Sequence, residues 1–255
     1  MNSWALVTGA TAGIGESFSR LLAANRYNLV LVARDLPRLQ ERAKALEEKF
    51  GVKTHVIQAD LATGEGCSKV EQYISENLID VLINNAGFGT SKAFTMSTLE
   101  IEQQMMDVLV RTPMRLMHVA LPLMKQRNNG VIINVSSVAG YIAGGSYSAS
   151  KSYLTVLSES LHTELAGTNV KISALCPGFT RTEFHQRGKM SMKALPNFMW
   201  LSSDYLVEQS WKDAMKGEAV SVPGWQYKLL LFIVNVIPRS IVRKVGMNLR
   251  SKQRK

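Results

Sequence analysis

The sequence predicts an α/β fold: a doubly wound parallel sheet in a single domain, with a lid-like insertion before the last strand. Three observations carry that prediction. Short segments that are apolar throughout alternate with longer amphipathic ones over nearly all of the 255 residues. A run of glycines, Gly9, Gly13 and Gly15, follows the first apolar segment and opens the next helical one. One connection, residues 180–217, is longer than the rest and stands before the final apolar segment. Apolar strands without polar alternation are buried on both faces. Strands separated by helices form βαβ units, whose right-handed crossovers wind helices over both sides of a sheet.

Taken in order, Trp4 to Val7 reads as the first strand and Glu16 to Asn25 as the first helix. Leu29 to Ala33 is a second strand, followed by a Leu-, Ala-, Glu- and Lys-rich helix from Pro37 to Phe50. Lys53 to Ala59, Asp80 to Asn84, Val131 to Val135, Val170 to Leu175 and Ala219 to Val222 are the remaining strands. Between them lie helices over Gly66 to Asn77, Ser97 to Gln126 and Ser148 to Ala166. Pro113 and Pro122 are expected to bend the longest of these.

Composition narrows the class. At 46% hydrophobic and 20% charged, the chain is globular rather than disordered. Cys67 and Cys176 are too few for a disulfide scaffold and suit a reducing compartment, so the cytoplasm is expected. There is no CxxC pair or His-rich cluster, so no metal is expected. Met1 to Trp4 does not read as the start of a secretory signal. The net charge of +10 is concentrated: residues 219–255 hold no Asp or Glu and eight basic residues, from Lys228 to Lys255. The rest is near neutral, which argues against a nucleic-acid partner.

The glycines at 9, 13 and 15 serve a tight turn, a close backbone approach to a phosphate, and close helix packing. The helix start offers free N–H groups and a positive dipole end to a pyrophosphate. No Gly-Lys-Ser/Thr closes the turn, so it is not a P-loop. A turn without a ligand is the plain alternative. Its place after the first strand favours a dinucleotide and a Rossmann-type sheet, with Gly9, Thr11, Gly13, Ile14 and Gly15 facing the cofactor. The second strand ends in Ala33-Arg34-Asp35, where the adenosine ribose would lie. Arg34 suits a 2′-phosphate, so NADP(H) is favoured over NAD(H). Asp35 either opposes that preference or caps the next helix.

Asn84-Asn85-Ala86-Gly87 and Ser136-Ser137-Val138-Ala139-Gly140 each follow a strand, and strand C-termini converge on one crevice. Tyr147 and Lys151 are four apart near a helix start and share a face. A free phenol, pKa about 10, is a poor base at neutral pH. An ammonium about 4 Å away is worth about 4 kcal/mol at an effective dielectric of about 20, enough to bring a phenol toward neutrality. Such a phenol exchanges a proton with a carbonyl or alcohol oxygen, and a Ser hydroxyl beside it hydrogen-bonds the same atom. Each piece alone recurs by chance. Their order on these elements is specific.

Thr8-Gly-x-x-x-Gly-x-Gly15, Asn84-Asn-Ala-Gly87, Ser137, Tyr147-x-x-x-Lys151 and Pro177-Gly178 together resemble the short-chain dehydrogenase/reductase family over roughly residues 3 to 225. The resemblance implies hydride transfer between a nicotinamide and a carbonyl or alcohol. By it, Tyr147 is the general acid/base, Lys151 lowers its pKa and holds the nicotinamide ribose, and Ser137 orients the substrate oxygen. Asp60 and Leu61 resemble the adenine-contacting pair. Asn84, Ala86 and Gly87 line the cofactor with Pro177 and Gly178, and Thr182 resembles the Thr that meets the carboxamide. Two departures stand out. Leu109 takes the place of an Asn whose backbone holds a water in the family's proton relay. The gap from Ser137 to Tyr147 is ten residues, shorter than in many members, which leaves Ser136 as the alternative to Ser137.

The whole chain, 1–255, therefore reads as one dinucleotide-binding oxidoreductase domain, with a substrate loop at 180–217 and an apolar and basic C-terminal segment at 226–255. The loop carries Phe184, Met190, Met192, Leu195, Phe198, Met199, Trp200 and Leu201, which suit an apolar carbonyl or alcohol or simply cover the sheet. The apolar stretch Leu229 to Pro238 is too short to span a bilayer. Packing on the domain, a homo-oligomer contact and peripheral membrane contact are its open alternatives. A cofactor-binding but weakly catalytic regulatory or scaffold protein is the rival function, because of Leu109.

Overall fold

The computed structural model describes residues 3–90, 92–188 and 196–244. Seven strands, β1 (Trp4–Thr8), β2 (Asn28–Ala33), β3 (Thr54–Gln58), β4 (Val81–Asn84), β5 (Gly130–Val135), β6 (Val170–Leu175) and β7 (Val220–Ser221), form one sheet. Its order is β3-β2-β1-β4-β5-β6-β7, and every pairing is parallel. The order reverses between β1 and β4, which makes their C-terminal ends the switch point of a Rossmann-type sheet. The expected fold class is the observed one.

Alternate residues explain why the strands read as apolar throughout. Ala5 and Val7 of β1 face one core, with Leu29 and Leu31 of β2; Leu6, Val30 and Val32 face the other. The first core is covered by α1 (Gly13–Ala24), α2 (Leu36–Phe50) and, later in the chain, α8 (Ser203–Lys216). The second is covered by α3 (Gly64–Glu76), α5 (Thr112–Arg127) and α6 (Ser146–Glu164). β3 is an edge strand, and only Ile57 within it is buried.

The long middle helix differs from the single bent helix expected over Ser97 to Gln126. It begins as α4 (Leu99–Met106), widens into a π turn at Asp107–Arg111, and continues as α5. Pro113 has no N–H, so it cannot bond the carbonyl of Leu109 four residues earlier, and the backbone opens there. Pro122 sits inside α5.

The insertion before β7 divides in two. Residues 180–188 hold the short α7 (Phe184–Arg187), and Thr180 bridges Leu201 in residues 196–202. Met190, Met192 and Leu195 lie outside the described residues. α8 is the crossover that covers the sheet, burying Leu206, Val207 and Ala214 and pairing Asp204 with Arg20 of α1. After β7, α9 (Trp225–Val236) packs one side onto the domain and leaves the other exposed. Among the described residues no helix is long and apolar enough to cross a membrane.

Two turn glycines, Gly9 and Gly13, have φ of +67° and +58°, where side chains other than Gly are strained. Gly15 has another role: a Cβ there would lie 2.3 Å from the Gly9 carbonyl oxygen, backbone against backbone. Gly15→Ala is therefore expected to lower the unfolding free energy by about 1–3 kcal/mol, read from urea melts. An unchanged midpoint would mean that the turn does not need this close approach.

Candidate active site

The switch point is held together by Thr8 and Asn85. Thr8 Oγ1 accepts the backbone N–H groups of Asn85 (2.9 Å) and Ala86 (3.0 Å) and donates to Ile83 O. Asn85 Nδ2 donates back to Thr8 O (2.8 Å) and Gly9 O (3.2 Å). The turns leaving β1 and β4 are thus pinned edge to edge, and the predicted residues Gly9, Thr11, Gly13, Ile14 and Gly15 come together with Asn84, Ala86 and Gly87. α1 starts behind Ala12, which supplies no side-chain cap, so its first N–H groups remain for an anion. Thr182 lies over the same turn: a Cβ on Gly13 would meet Thr182 Cγ2 at 2.9 Å.

Arg34 follows β2 and is exposed to solvent, with no ion pair among the described residues. Asp35 resolves as a helix cap, accepting the N–H of Arg38 at the start of α2. Arg38 makes a forked pair with Glu183, next to Thr182 (2.6 and 3.2 Å), and ties α2 to the insertion. Asp60, exposed after β3, accepts from Ala62 N through its side chain; Leu61 is buried and its carbonyl accepts from Thr112. These positions suit a dinucleotide laid across the strand ends, with adenosine near Arg34 and Asp60 and pyrophosphate on the α1 start.

The reactive side chains gather beyond β5 and β6. The two serines separate by burial. Ser136 is buried, and its Oγ is engaged with Lys151 O (2.7 Å) and Thr155. Ser137 is only partly buried; its Oγ caps the turn Val138–Tyr141 by accepting from Ala139 N. The geometry thus favours Ser137 as the accessible hydroxyl. Tyr147, in the first turn of α6, has its ring 5.8 Å from that of Phe184 and 5.8 Å from Lys151 Nζ. Tyr141 ends the turn that Ser137 caps, and burial pushes its phenol pKa up.

Lys151 is buried and donates to Val135 O at 2.6 Å. Burial pulls its pKa from 10.5 down to about 8, with Cys176 opposing. Lys151 shares a cavity of about 10 Å³ with Asn84, Leu109 and Pro113, on the scale of a single water. Asn84 Nδ2 donates to Asn134, which donates on to Ser158, while buried Asn84 Oδ1 has no partner among the described residues. The Leu109 side chain packs on Gly87, 2.8 Å from where a Cβ there would lie.

Some contributors escaped the sequence reading. Thr8, Asn85 and Asn134 sit inside or opposite recognised motifs, so their positions were visible but not their bonds. Tyr227 of α9 gave no signal. Its ring fills the space a Cβ on Gly178 would take, its hydroxyl donates to Met199 O, and it accepts from Phe179 N. It thereby fixes Pro177, Gly178 and the insertion from behind.

Residues 3–192 match the family described as short chain dehydrogenase. The chain is 28% identical, over all of its length and 81% of the relative's, to the very-long-chain 3-oxoacyl-CoA reductase of Rattus norvegicus. Its fold is similar to a short-chain dehydrogenase from Sphingobium yanoikuyae in complex with NADPH, at 30% identity and TM-score 0.84, covering 92% of this chain and 96% of that one. It is also similar to the bulky-bulky ketone specific alcohol dehydrogenase of Comamonas testosteroni, at 29% identity and TM-score 0.80, covering 93% and 96%.

The buried ammonium makes stability depend on pH. In the unfolded chain Lys151 titrates near 10.5, in the folded one near 8, so between these values the unfolded state binds the extra proton. At about 1.36 kcal/mol per pH unit, stability should gain about 3 kcal/mol as pH rises from about 8 to 10.5, and lose it on the way down. Tyrosines and cysteines titrate in the same range, so the quantity to measure is wild type minus Lys151→Met in urea melts. A difference independent of pH would refute the burial penalty.

Proposed function

Because the chain belongs to the short-chain dehydrogenase family, and is by that membership an NAD(P)-dependent oxidoreductase, we propose that it reduces an apolar ketone or aldehyde with NADPH, using Tyr147 as the proton donor. The carrying observation is the placement of Tyr147 and Lys151 on one helix face at the crevice, with Ser137 as the accessible serine of its pair. Bound nicotinamide supplies the hydride to the carbonyl carbon. Tyr147 gives its phenolic proton to the carbonyl oxygen as the C=O π pair becomes the O–H bond. Ser137 Oγ donates a hydrogen bond to the same oxygen. Lys151, a cation below about pH 8, favours loss of the Tyr147 proton and is placed to hold the ribose. Gly9, Thr11, Gly13, Ile14, Gly15, Asp60, Leu61, Asn84, Ala86, Gly87, Pro177, Gly178 and Thr182 line the cofactor.

NADP(H) is preferred on the strength of exposed Arg34, with Asp35 withdrawn into its cap, and of the NADPH bound by the Sphingobium yanoikuyae relative. An apolar substrate is supported by Phe184 beside Tyr147 and by Phe179 against Trp200, 6.0 Å between ring centres. The very-long-chain 3-oxoacyl-CoA reductase and the bulky-bulky ketone specific alcohol dehydrogenase, both similar to this chain, also favour a large carbonyl substrate. A homo-oligomer is supported by the exposed Met106, Met114, Tyr153 and Val156 on α4 to α6. Peripheral membrane contact is supported by the exposed side of α9.

The second reading, a cofactor-binding protein with little turnover, is favoured by the Leu109 side chain beside Lys151, which offers no hydrogen bond. Against it, a backbone carbonyl is present whatever the side chain, and Leu109 lines the same cavity as Lys151. Turnover of NADPH against a panel of ketones and aldehydes separates the two.

Tyr147→Phe should cut turnover by about 10²–10⁴-fold with NADPH binding retained; near-normal turnover would end the assignment. Arg34→Ala should raise the KM for NADPH by about 10–100-fold and leave NADH within about twofold, which steady-state kinetics with both cofactors will read. Equal losses for the two would remove Arg34 from the phosphate.

A further inference from the structure

The helix α9 has two apolar stripes. At about 100° per residue, Tyr227, Leu231 and Val234 fall on one side and are buried in the domain. Trp225, Leu229, Phe232 and Val236 fall on a stripe centred about 180° away, and there they are 72%, 51%, 68% and 69% exposed. An amphipathic surface helix would carry polar residues on that side. The chain then turns at Pro238 into a second helical segment, 239–244, which buries Val242 and exposes Arg239, Arg243 and Lys244.

Charge identifies the occupant. Beyond Glu218 the sequence has eight cations and no carboxylate. Asp213 and Glu218 line a groove on one flank of α9 together with Lys216 and Lys228, and Asp213 is already engaged by Ser221 and Gln209. A twofold contact through α9 would bring like cations together. An anionic bilayer neutralises the cations and takes the stripe into its headgroup boundary.

We propose that the outer stripe of α9 and the cations of 239–244 dock the protein peripherally on an anionic lipid surface. α9 also packs on the turn Val138–Tyr141 that Ser137 caps, and Arg239 donates to Tyr141 O (3.4 Å). On the apolar-substrate reading, docking brings the crevice to the phase in which such a substrate dissolves. The docking itself does not depend on that reading.

The test is flotation of the full chain with vesicles of phosphatidylcholine alone or mixed with phosphatidylglycerol, with turnover of a water-soluble ketone measured alongside. The mixed vesicles should bind it, and added salt should release it. Leu229→Ser/Phe232→Ser/Val236→Ser should lose at least about tenfold in partitioning. Arg243→Glu/Lys244→Glu should lose about 25-fold or more, at about fivefold for each cation near the surface. Both variants should keep their turnover in solution and their circular dichroism. Absence of binding to mixed vesicles, or binding indifferent to both variants, overturns the proposal. A dimer seen by light scattering that only the serine variant breaks, without vesicle binding, assigns the stripe to a second copy. Docking with no turnover on any carbonyl would leave the lipid contact standing and remove the reductase reading.

Discussion

Two neighbouring strands, β1 and β4, send their chains away in opposite directions, and a cleft opens only if the departing turns stay in register. The Thr8 hydroxyl and the Asn85 amide provide that register. A strand end is otherwise a place where backbone N–H and C=O groups lose their ladder partners. Here the lost partners are replaced by one hydroxyl and one amide that bind both turns at once. The placement of the glycine turn, of the start of α1 and of the β4 turn follows from this.

The chemistry is held less comfortably. Lys151 is a cation placed where burial disfavours its charge, with the Val135 carbonyl as its hydrogen-bond acceptor. Parallel sheets bring carbonyls to their C-terminal ends, so a buried ammonium there finds an acceptor that few other sites offer. The stability given up is the counterpart of a charge that solvent does not screen, and so acts on its neighbours at greater strength.

The sequence was most readable where a single local rule decides. Nearly continuous apolar runs marked β1, β2, β4 and β5, because both sheet faces are covered there, whereas β3 at the edge buries only Ile57. Glycine spacing marked the phosphate turn, though α1 begins at Gly13 rather than Glu16, since small residues give no amphipathic signal. The π turn at Asp107–Arg111 was hidden: Pro113 was visible, but a single extra residue per turn does not disturb an apolar pattern already loose around buried Val108 and Leu109. In the site, Tyr147, Lys151 and the glycines were legible from spacing. The choice between Ser136 and Ser137 needed burial, which spacing does not encode. Arg38 with Glu183, and Tyr227 with Phe179, pair across 145 and 48 positions, and only the folded chain brings them together.

Tyr227 ties α9 to the turn that follows β6, so the helix is more than an appendage. Its ring occupies the volume that Gly178 leaves free, so the size of one residue limits the size of the other. A larger residue at 178 calls for a smaller one at 227, and exchanging the segment that carries α9 for a homologue's changes what Gly178 packs against.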